Sequence, residues 1–312
     1  MVSIIIPVYN GANYIQEAIG SALSQTYTNI EVIVVNDGST DDTEKIAKAY
    51  GDRIRYFAKE NGGVSSALNV GLREMKGEYF SWLSHDDVYC QSKIEKQIAY
   101  LNSLKNKNVI LYSDYELINE GSKKIKKVII DHDMIERKPE YALLRSYING
   151  NTLLIPKKAF EEYGYFDENL KCTQDYQKWF EMMKTYKFVH IPEILAKYRI
   201  HQKQDTLKNP KVVSEGNPLW IQMMESVRDE VKRRLEGSEL NFYKEMVFFL
   251  RQTPHGEAME FANKKANEIL AKENKPAVDF TKAFVVPKKS ELKDKIRFAI
   301  FSPKKFLKKY FC

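Results

Sequence analysis

The sequence predicts an α/β fold in which a mostly parallel, Rossmann-like sheet is flanked by helices and followed by a C-terminal helical appendage. In the first 83 residues, short apolar, β-branched segments alternate with segments whose apolar residues recur at helical spacing. Such alternation is typical of a parallel sheet with helices on both faces. After about residue 205 the composition changes to charged helix formers with periodic apolar positions, which predicts a separate helical region.

The predicted elements follow in order along the chain. The segment 30–35 is almost wholly β-branched and apolar, which is typical of a strand covered on both faces. Strands are predicted at 2–8, 30–35, 54–57 and up to 83, with helices at 14–23, up to 50 and at 64–75. Further on, the pattern predicts helices at 92–104, at 157–163 and from 174, strands at 109–113 and 152–156, a hairpin at 115–130 and an extended segment at 188–198.

Three regions are predicted from these changes in composition: a domain at 1–205, a helical appendage at 206–283 and a basic, aromatic tail at 284–312. Two segments rich in Asn, Gly and Pro are interpreted as parts of a linker between the first two regions: Asn209-Pro210 and Gly216-Asn217-Pro218.

Two adjacent carboxylates, Asp86 and Asp87, follow the apolar run that ends at Leu83. Ligands of open α/β sheets bind where strands end. Two like charges side by side repel, so the pair needs a cation or hydrogen-bond donors. Oxygen ligands of this kind suit Mg²⁺ or Mn²⁺, and these ions favour phosphates. The simpler alternative is that Asp86 caps the following helix.

Composition excludes several other classes of site. The three cysteines, Cys90, Cys172 and Cys312, lie far apart, which argues against a thiolate zinc site or a disulfide framework and fits a reducing cytoplasm. The chain shows no basic leader and no run of roughly 20 apolar residues. It also lacks GxGxxG and GxxxxGK[ST] strings, so a dinucleotide-binding oxidoreductase and a P-loop NTPase are disfavoured.

The positive charge is concentrated at one end of the chain. Residues 284–312 carry nine Lys or Arg against two acids, and this net +7 equals that of the whole chain. A nucleic-acid face would involve the folded body, so no nucleic-acid partner is expected. A basic segment with interleaved aromatic residues predicts peripheral contact with an anionic membrane; the alternative is a helix packed on the protein with a solvated lysine face.

Several short strings together resemble the family 2 glycosyltransferases, which have the GT-A nucleotide-sugar fold. The resemblance covers roughly the first 205 residues, and its order and spacing are more specific than any one string. The strings are Val2-Ser3-Ile4-Ile5-Ile6-Pro7-Val8-Tyr9-Asn10, Val35-Asn36-Asp37-Gly38-Ser39-Thr40-Asp41, Asn61-Gly62-Gly63, Asn151-Thr152-Leu153-Leu154-Ile155-Pro156, Phe166-Asp167-Glu168, Thr173-Gln174-Asp175-Tyr176 and Tyr198-Arg199-Ile200-His201.

This resemblance implies a set of donor-binding residues. Asp37 would hold the nucleotide base or ribose, Asp86 would lie on the ribose side, and Asp87 would bind Mn²⁺ or Mg²⁺, with His201 as a further metal ligand. The other residues that the resemblance places around the donor are Pro7, Tyr9, Asn10, Asn61, Gly63, Asn69 and Arg199.

Several of these assignments have a simpler alternative, and the sequence departs from the family pattern at two positions. Asp37 alone can shape an Asp-Gly turn, a lone loop histidine such as His201 is often just solvated, and Arg199 can form a structural ion pair instead of a phosphate contact. The chain departs from the family pattern at Leu68, where an arginine is frequent, and at Ser84, where another aspartate is usual.

Asp175 is the expected catalytic base. The resemblance places it opposite the donor sugar, where it would take a proton from the acceptor hydroxyl. Its place near a helix start predicts a low pKa, because the helix dipole favours the ionised form. The simpler alternative is a helix cap.

Together these features predict an inverting glycosyltransferase that moves a hexosyl or N-acetylhexosaminyl group from a nucleotide-diphosphate sugar, most simply a UDP-sugar. The acceptor would be a hydroxyl of a glycan or a lipid-linked acceptor in cell-surface polysaccharide synthesis, on the cytoplasmic side, at the inner face of the membrane if the tail docks there. The alternatives are a catalytically idle sugar-nucleotide-binding partner subunit and a nucleotidyltransferase; the latter would need a basic, Gly-rich phosphate loop that residues 9–13 lack. The sequence leaves the oligomeric state open; the appendage offers a surface for an oligomer.

Overall fold

The structure, a computed structural model, describes residues 1–202, 204 and 209–282. The chain forms two compact units, Met1–Gln202 and a second that begins at residue 203. The predicted tail at 284–312 lies outside the described residues, and so does its proposed membrane contact.

The first unit is built on a five-stranded sheet in the order β3-β2-β1-β4-β8. The strands are β1 (Val2–Val8), β2 (Ile30–Asp37), β3 (Arg55–Lys59), β4 (Tyr79–Trp82) and β8 (Ile155–Pro156). The first four are parallel, and β8 pairs antiparallel with β4. The predicted mostly parallel α/β sheet is confirmed.

Helices cover this sheet because their apolar residues recur on one face. The helices of this part are α1 (Ile15–Leu23), α2 (Thr43–Lys48), α3 (Val64–Glu74) and α4 (Lys93–Ser103). Every residue of β1 is buried, as expected for a central parallel strand with helices on both faces. Gly71 lets α3 lie close to β1, since a Cβ there would be 2.4 Å from Ile5.

A second, four-stranded sheet has the order β5-β9-β6-β7. Its strands are β5 (Val88–Tyr89), β6 (Val109–Ile118), β7 (Lys124–Val128) and β9 (Lys187–Arg199). The predicted hairpin is β6–β7, and β6 is one strand where the sequence suggested a break. Strands β6 and β9 are parallel, so the end of β9 reaches the hairpin turn at residues 119–122.

Four helices and two 3₁₀ turns complete the first unit. The helices are α5 (His132–Arg137), α6 (Tyr141–Leu144), α7 (Lys157–Tyr163) and α8 (Gln174–Met182), and the 3₁₀ turns are Gly51–Arg53 and Gly150–Thr152. The predicted strand at 152–156 is only the short β8, because the Asn149 side chain accepts a hydrogen bond from the Asn151 backbone N–H and holds the residues before β8 in a turn. The sequence pattern did not predict helices α5 and α6.

The second unit contains the predicted helices: α9 (Lys211–Ser226), α10 (Asp229–Glu236), α11 (Glu239–Leu250) and α12 (Gly256–Lys272). The interpretation of Gly216-Asn217-Pro218 as a linker was wrong, because α9 runs through all three residues. Tertiary contacts hold them there: a Cβ on Gly216 would lie 2.2 Å from the His255 ring, and Asn217 accepts a hydrogen bond from the backbone of Ala258. Over the described parts of the chain, no helix has the length and apolar character needed to cross a bilayer.

Candidate functional site

The carboxyl ends of β1, β2 and β4 meet at one edge of the parallel sheet, and the predicted donor residues follow them there. Asp37 is the last residue of β2, whereas Tyr9 and Asn10 follow β1 and Asp86 follows β4. Pro7 itself is buried within β1, where it is paired with Val35 of β2. Pro7 is thus a buried residue of the strand, one position before its end.

The Asp37 carboxylate organises the Asn61-Gly62-Gly63 loop. It is buried and accepts hydrogen bonds from the backbone N–H of Gly62 (3.0 Å) and Gly63 (2.7 Å), and from Lys59 Nζ (2.7 Å). The Asn61 amide donates to the Asp37 backbone carbonyl (2.9 Å). Gly63 has φ 93°, a conformation that glycine adopts without strain. These hydrogen bonds hold the Asn61-Gly62-Gly63 loop in a fixed position beside the strand ends. The predicted binding role of Asp37 would therefore be exerted through the backbone of this loop.

Tyr9 and Asn10 lie at the surface of this edge. The Tyr9 side chain is 49% exposed, so an aromatic face is available to a planar ligand. Asn10 has φ 49° and its side-chain oxygen accepts from the backbone N–H of Thr40 (2.8 Å), which ties the end of β1 to the loop after β2. Gly11 lies against the His85 ring, since a Cβ there would be 2.4 Å from His85 Cδ2.

Asp87 is placed inside the protein and not at the open edge. It is 1% exposed, and its oxygens accept from the Arg199 backbone N–H (2.7 Å) and from the Asn151 side-chain amide (2.5 Å). Burial raises the pKa of Asp87 well above its usual range, and the neighbouring Asp86 carboxylate adds to that rise. This geometry does not match the predicted metal ligation by Asp87, because both oxygens already hold the loop to β9 and to the 3₁₀ turn.

Asp86 faces His201, at 2.8 Å between Asp86 Oδ2 and His201 Nε2. Burial raises the pKa of Asp86, but the hydrogen bond to His201 and the His85 and His201 charges outweigh it, so the net pKa is lowered. The alternative that Asp86 caps the following helix does not hold, because the residue preceding α4 is Ser92. The structure thus pairs His201 with Asp86, whereas the sequence pattern pointed to Asp87.

Arg199 is wholly buried and its guanidinium binds within the protein. Nε donates to the Asp86 backbone carbonyl (2.7 Å), and Nη2 donates to Glu17 Oε2 (2.5 Å). Nη1 donates to oxygens of the turn between β6 and β7, at 2.9 Å to Ser122 Oγ. The predicted phosphate contact of Arg199 is therefore corrected to the structural ion pair, the alternative left open by the sequence.

Asn69 also has an internal role where a donor contact was predicted. It is buried in α3, and its amide donates to the Phe166 carbonyl (2.9 Å) and to Glu168 Oε1 (2.9 Å) while its oxygen accepts from the Phe166 N–H (3.0 Å). All of these bonds run to the Phe166-Asp167-Glu168 string. Asn69 thus fixes the segment that leads into α8.

Asp175 lies in the first turn of α8, with Oδ1 accepting from the backbone N–H of Tyr176 (2.7 Å). Burial raises the pKa of Asp175 to about 6, against the lowering effect of the nearby backbone N–H groups. The prediction of a low pKa was wrong, because desolvation outweighs the helix dipole at this position. A carboxylate with a pKa near 6 is a better base close to neutral pH than an ordinary aspartate.

Chains of contacts connect these residues to one another. The Asn151 backbone belongs to the 3₁₀ turn whose Gly150 lies against Trp82 and Trp179, the latter in α8. On the other side, Lys171 Nζ donates to the Gly62 carbonyl (3.3 Å), which links the segment before α8 to the Asp37 loop. The 3₁₀ turn that holds Asp87 therefore packs near α8, and the segment before α8 contacts the Asp37 loop.

The Asp86 carboxylate and the His201 imidazole offer two ligand atoms for a divalent ion. Such an ion would take its remaining ligands from the substrate and from water. Within residues 1–202, 204 and 209–282, no three His, Cys, Asp or Glu side chains are grouped to hold a metal. The 2.8 Å between the two atoms is close to the roughly 3 Å that separates adjacent ligands of an octahedral ion bound at about 2.1 Å. Carboxylate oxygen is a ligand that Mn²⁺ and Mg²⁺ prefer, and neutral imidazole is a common metal ligand; substrate phosphates and water would supply the other positions.

Three residues that the sequence did not single out belong to this arrangement. Asn151 binds Asp87, Tyr14 lies between Arg199 and His201, and Glu17 pairs with Arg199. Asn151 is the first residue of a string that carries the family resemblance. Its place in that string could have identified it as a residue of the site. Tyr14 and Glu17 lie in an ordinary amphipathic helix region, and only the fold shows their contacts.

Comparison with known proteins gives the family. The glycosyl transferase family 2 model matches residues 3–164. An uncharacterized glycosyltransferase of Rickettsia bellii is 49% identical over 275 residues, which cover 86% of this chain and 40% of that protein. One from Rickettsia prowazekii is 48% identical over 265 residues, covering 84% of this chain and 83% of that protein. The chain spans less than half the length of the first three curated relatives, at 40–46%.

Solved structures show the same fold at low identity. S. aureus TarS 1-349 in complex with UDP has a TM-score of 0.58 at 17% identity, with 92% of this chain and 95% of that one covered. The mannosyltransferase PcManGT from Pyrobaculum calidifontis, in complex with GDP-Man and Mn²⁺, has a TM-score of 0.59 at 16% identity and covers 98% and 82%. Both likenesses concern the GT-A fold. Given the matched model and the extensive identity to its relatives, this chain belongs to glycosyl transferase family 2.

Proposed function

We propose that this glycosyltransferase is an inverting, metal-dependent enzyme that transfers a sugar from a UDP-sugar to a hydroxyl of a glycan or a lipid-linked acceptor in cell-surface polysaccharide synthesis. The observation that carries the proposal is the 2.8 Å pair of Asp86 and His201 at the edge where β1, β2 and β4 end. Support comes from TarS, solved with UDP, and from PcManGT, solved with GDP-Man and Mn²⁺.

The donor nucleotide would lie against Tyr9, Asn10 and the Asp37 loop. Tyr9 offers an exposed aromatic face for stacking, and the Asn61-Gly62-Gly63 loop lets a ligand approach the backbone closely. Its diphosphate would reach Asp86 and His201, the residues that we propose as the metal ligands in place of Asp87. A divalent ion on this pair supplies neutralisation of the leaving diphosphate.

Asp175 would activate the acceptor. Its carboxylate takes the proton of the acceptor hydroxyl as that oxygen attacks the anomeric carbon, the anomeric C–O bond to the diphosphate breaks, and a single displacement inverts the anomeric centre. The raised pKa suits this role, because the group accepts a proton more readily than an ordinary aspartate while still being ionised near neutral pH.

Calorimetric titration of UDP and GDP, each with Mn²⁺ and with EDTA, tests the donor and the metal. We expect UDP to bind with Mn²⁺ and to lose affinity in EDTA, and Asp86→Asn to weaken Mn²⁺-dependent binding by at least ~10-fold. Asp52→Asn, an exposed acid in the 3₁₀ turn after α2, serves as the matched control and should bind like the wild type. Equal UDP binding by Asp86→Asn and wild type would remove Asp86 from the metal site.

The release of UDP from a panel of UDP-sugars with glycan acceptors tests catalysis. Asp175→Asn should lower release by about 10²–10⁴-fold while UDP affinity stays unchanged. Binding by the wild type without release for any acceptor would favour the idle partner subunit instead.

A further inference from the structure

A buried cluster around Arg199 joins three separate segments of the first unit next to the Asp86–His201 pair. Through its backbone N–H, Arg199 holds the Asp87 carboxylate, and through Nε it holds the Asp86 carbonyl, so one residue fixes both members of the acidic loop. His201 follows two residues later in the chain. The distance between Asp86 and His201 therefore depends directly on where Arg199 lies.

The Arg199 guanidinium is held from two sides. Its charge pairs with Glu17 of α1, a side chain that is 42% exposed while Arg199 is completely buried. Glu17 also accepts from Ser122 Oγ (2.8 Å), which in turn accepts from Arg199 Nη1. Helix α1, the β6–β7 turn and the end of β9 are thereby joined through this ion pair.

Tyr14 lies between Arg199 and His201. The Arg199 Cζ atom lies 4.4 Å from the centre of the Tyr14 ring, within the range of a cation–π contact. The ring also lies near the His201 imidazole, with centroids 5.4 Å apart. The orientation of His201 thus depends on the Tyr14 ring.

We propose that Glu17 and Tyr14 act through Arg199 as positioning residues that set the geometry, and hence the metal affinity, of the Asp86–His201 pair. The proposal rests on the proposed function, in which that pair binds the ion. Glu17 supplies a carboxylate to the guanidinium at Nη2, and Nη1 donates to the carbonyl oxygens of Asn119 and Glu120 and to Ser122 Oγ. Removing a carboxylate from a buried charge is strongly unfavourable, so without Glu17 the guanidinium is expected to shift toward the acidic loop and to disturb the Asp86–His201 pair.

Binding of Mn²⁺ in the presence of UDP, followed by the EPR signal of free Mn²⁺, tests this without an activity assay. We expect Glu17→Ala to weaken Mn²⁺ binding by about 10-fold, the low end of the range for outer-shell residues. Metal-free UDP binding should not change. Glu44→Ala is the matched control: Glu44 is an exposed helical acid, paired with Lys48 in α2, and its removal should leave Mn²⁺ affinity at the wild-type value.

A second pair of variants tests the ring and keeps the proposal falsifiable if Glu17→Ala unfolds. Tyr14→Phe retains the aromatic face and should bind Mn²⁺ like the wild type, whereas Tyr14→Leu should weaken it. Mn²⁺ affinity equal to that of Glu44→Ala in both Glu17→Ala and Tyr14→Leu would overturn the proposal, as would equal losses in Tyr14→Phe and Tyr14→Leu.

Asp86→Asn and His201→Ala separate this outcome from a failure of the proposed function. If these two variants also keep the wild-type Mn²⁺ affinity, the ion does not bind at this pair and both proposals fall. If they lose Mn²⁺ while Glu17→Ala and Tyr14→Leu do not, only the positioning role is wrong.

Discussion

At the scale of single residues, burial decides what each carboxylate of this edge can do. Asp87 is engaged on both oxygens and burial raises its pKa, whereas Asp86 keeps a lowered pKa beside His201. Asp175 is desolvated without a cationic partner among the causes of its shift, so its pKa rises to about 6. The pKa values of three aspartates of one chain thus shift differently because their environments differ.

The raised pKa of Asp175 makes activity and stability respond in opposite directions. A carboxyl group whose pKa is higher in the folded than in the unfolded state adds stability below the unfolded value of about 4 and loses it as pH rises through about 6. At pH 7, the ionised Asp175 therefore destabilises the folded protein. We expect Asp175→Asn to increase the free energy of unfolding at pH 7 by about 1–3 kcal/mol while lowering sugar transfer by about 10²–10⁴-fold.

Urea denaturation at pH 7 and a pH profile of kcat/KM check this prediction. For the wild type, kcat/KM should fall below a pH of about 6, because the base becomes protonated. If Asp175 acted only at the helix start, Asp175→Asn would change stability little, because asparagine and aspartate cap helices about equally well, and transfer would be retained; this result would remove the proposed base.

The motif strings allowed the location of the site to be predicted from the sequence, but the direction in which their side chains point could not be predicted. Adjacent carboxylates at a strand end indicate a site, yet whether Asp86 or Asp87 faces outward depends on Arg199 and Asn151, which are 112 and 64 residues away in sequence from Asp87. The internal role of Asn69 likewise depends on a contact with a segment 97 residues away. Such long-range partners leave no local periodicity in the sequence.

At the scale of elements, the alternation of apolar and amphipathic segments was sufficient for the sheet and its helices. It failed where a tertiary contact overrides local propensity, as in α9, whose Gly216 and Pro218 disfavour a helix. Gly216 faces the buried His255, and His255 stacks on Trp220 with ring centroids 4.8 Å apart. Gly216 thus leaves room for the imidazole of His255 beside the helix. The glycine is present because of side-chain packing and does not mark a turn.

Gly216→Ala tests this explanation. Alanine improves helix propensity by about 1 kcal/mol, but its Cβ would lie 2.2 Å from His255 Cε1, and overpacking of this kind costs about 1–3 kcal/mol. We expect a net loss of stability in urea denaturation. Gly20→Ala is the matched control, because Gly20 is exposed inside α1 with no atom within 4 Å of the added Cβ, and it should be neutral or stabilising.

The His255→Ala background identifies the cause of that loss. With the ring removed, Gly216→Ala should cost less than in the wild type or become stabilising, and the difference measures the coupling between the two residues. An equal loss in both backgrounds would place the cause in the backbone of α9 instead.

At the scale of the whole molecule, every residue proposed for the donor, the ion or the base lies in the unit Met1–Gln202. The family model, which ends at residue 164, stops before Asp175, Arg199 and His201. The functional division into a glycosyltransferase domain at 1–205 and an appendage at 206–283 therefore stays a proposal. It requires that the first unit alone forms the donor site.

Hydrogen exchange with and without UDP and Mn²⁺ tests this requirement in the full chain. We expect the ligands to slow exchange in the loop 59–63, in the loop 83–87 and at the start of α8, because these segments carry the proposed contacts, while α11 and α12 keep their rates. Adding EDTA with UDP should reverse the protection at 83–87 first, since that segment holds Asp86. Protection of α11 or α12 as strong as that of the loop 59–63 would show that the second unit contributes to donor binding, and the site would then have to be extended beyond the first unit.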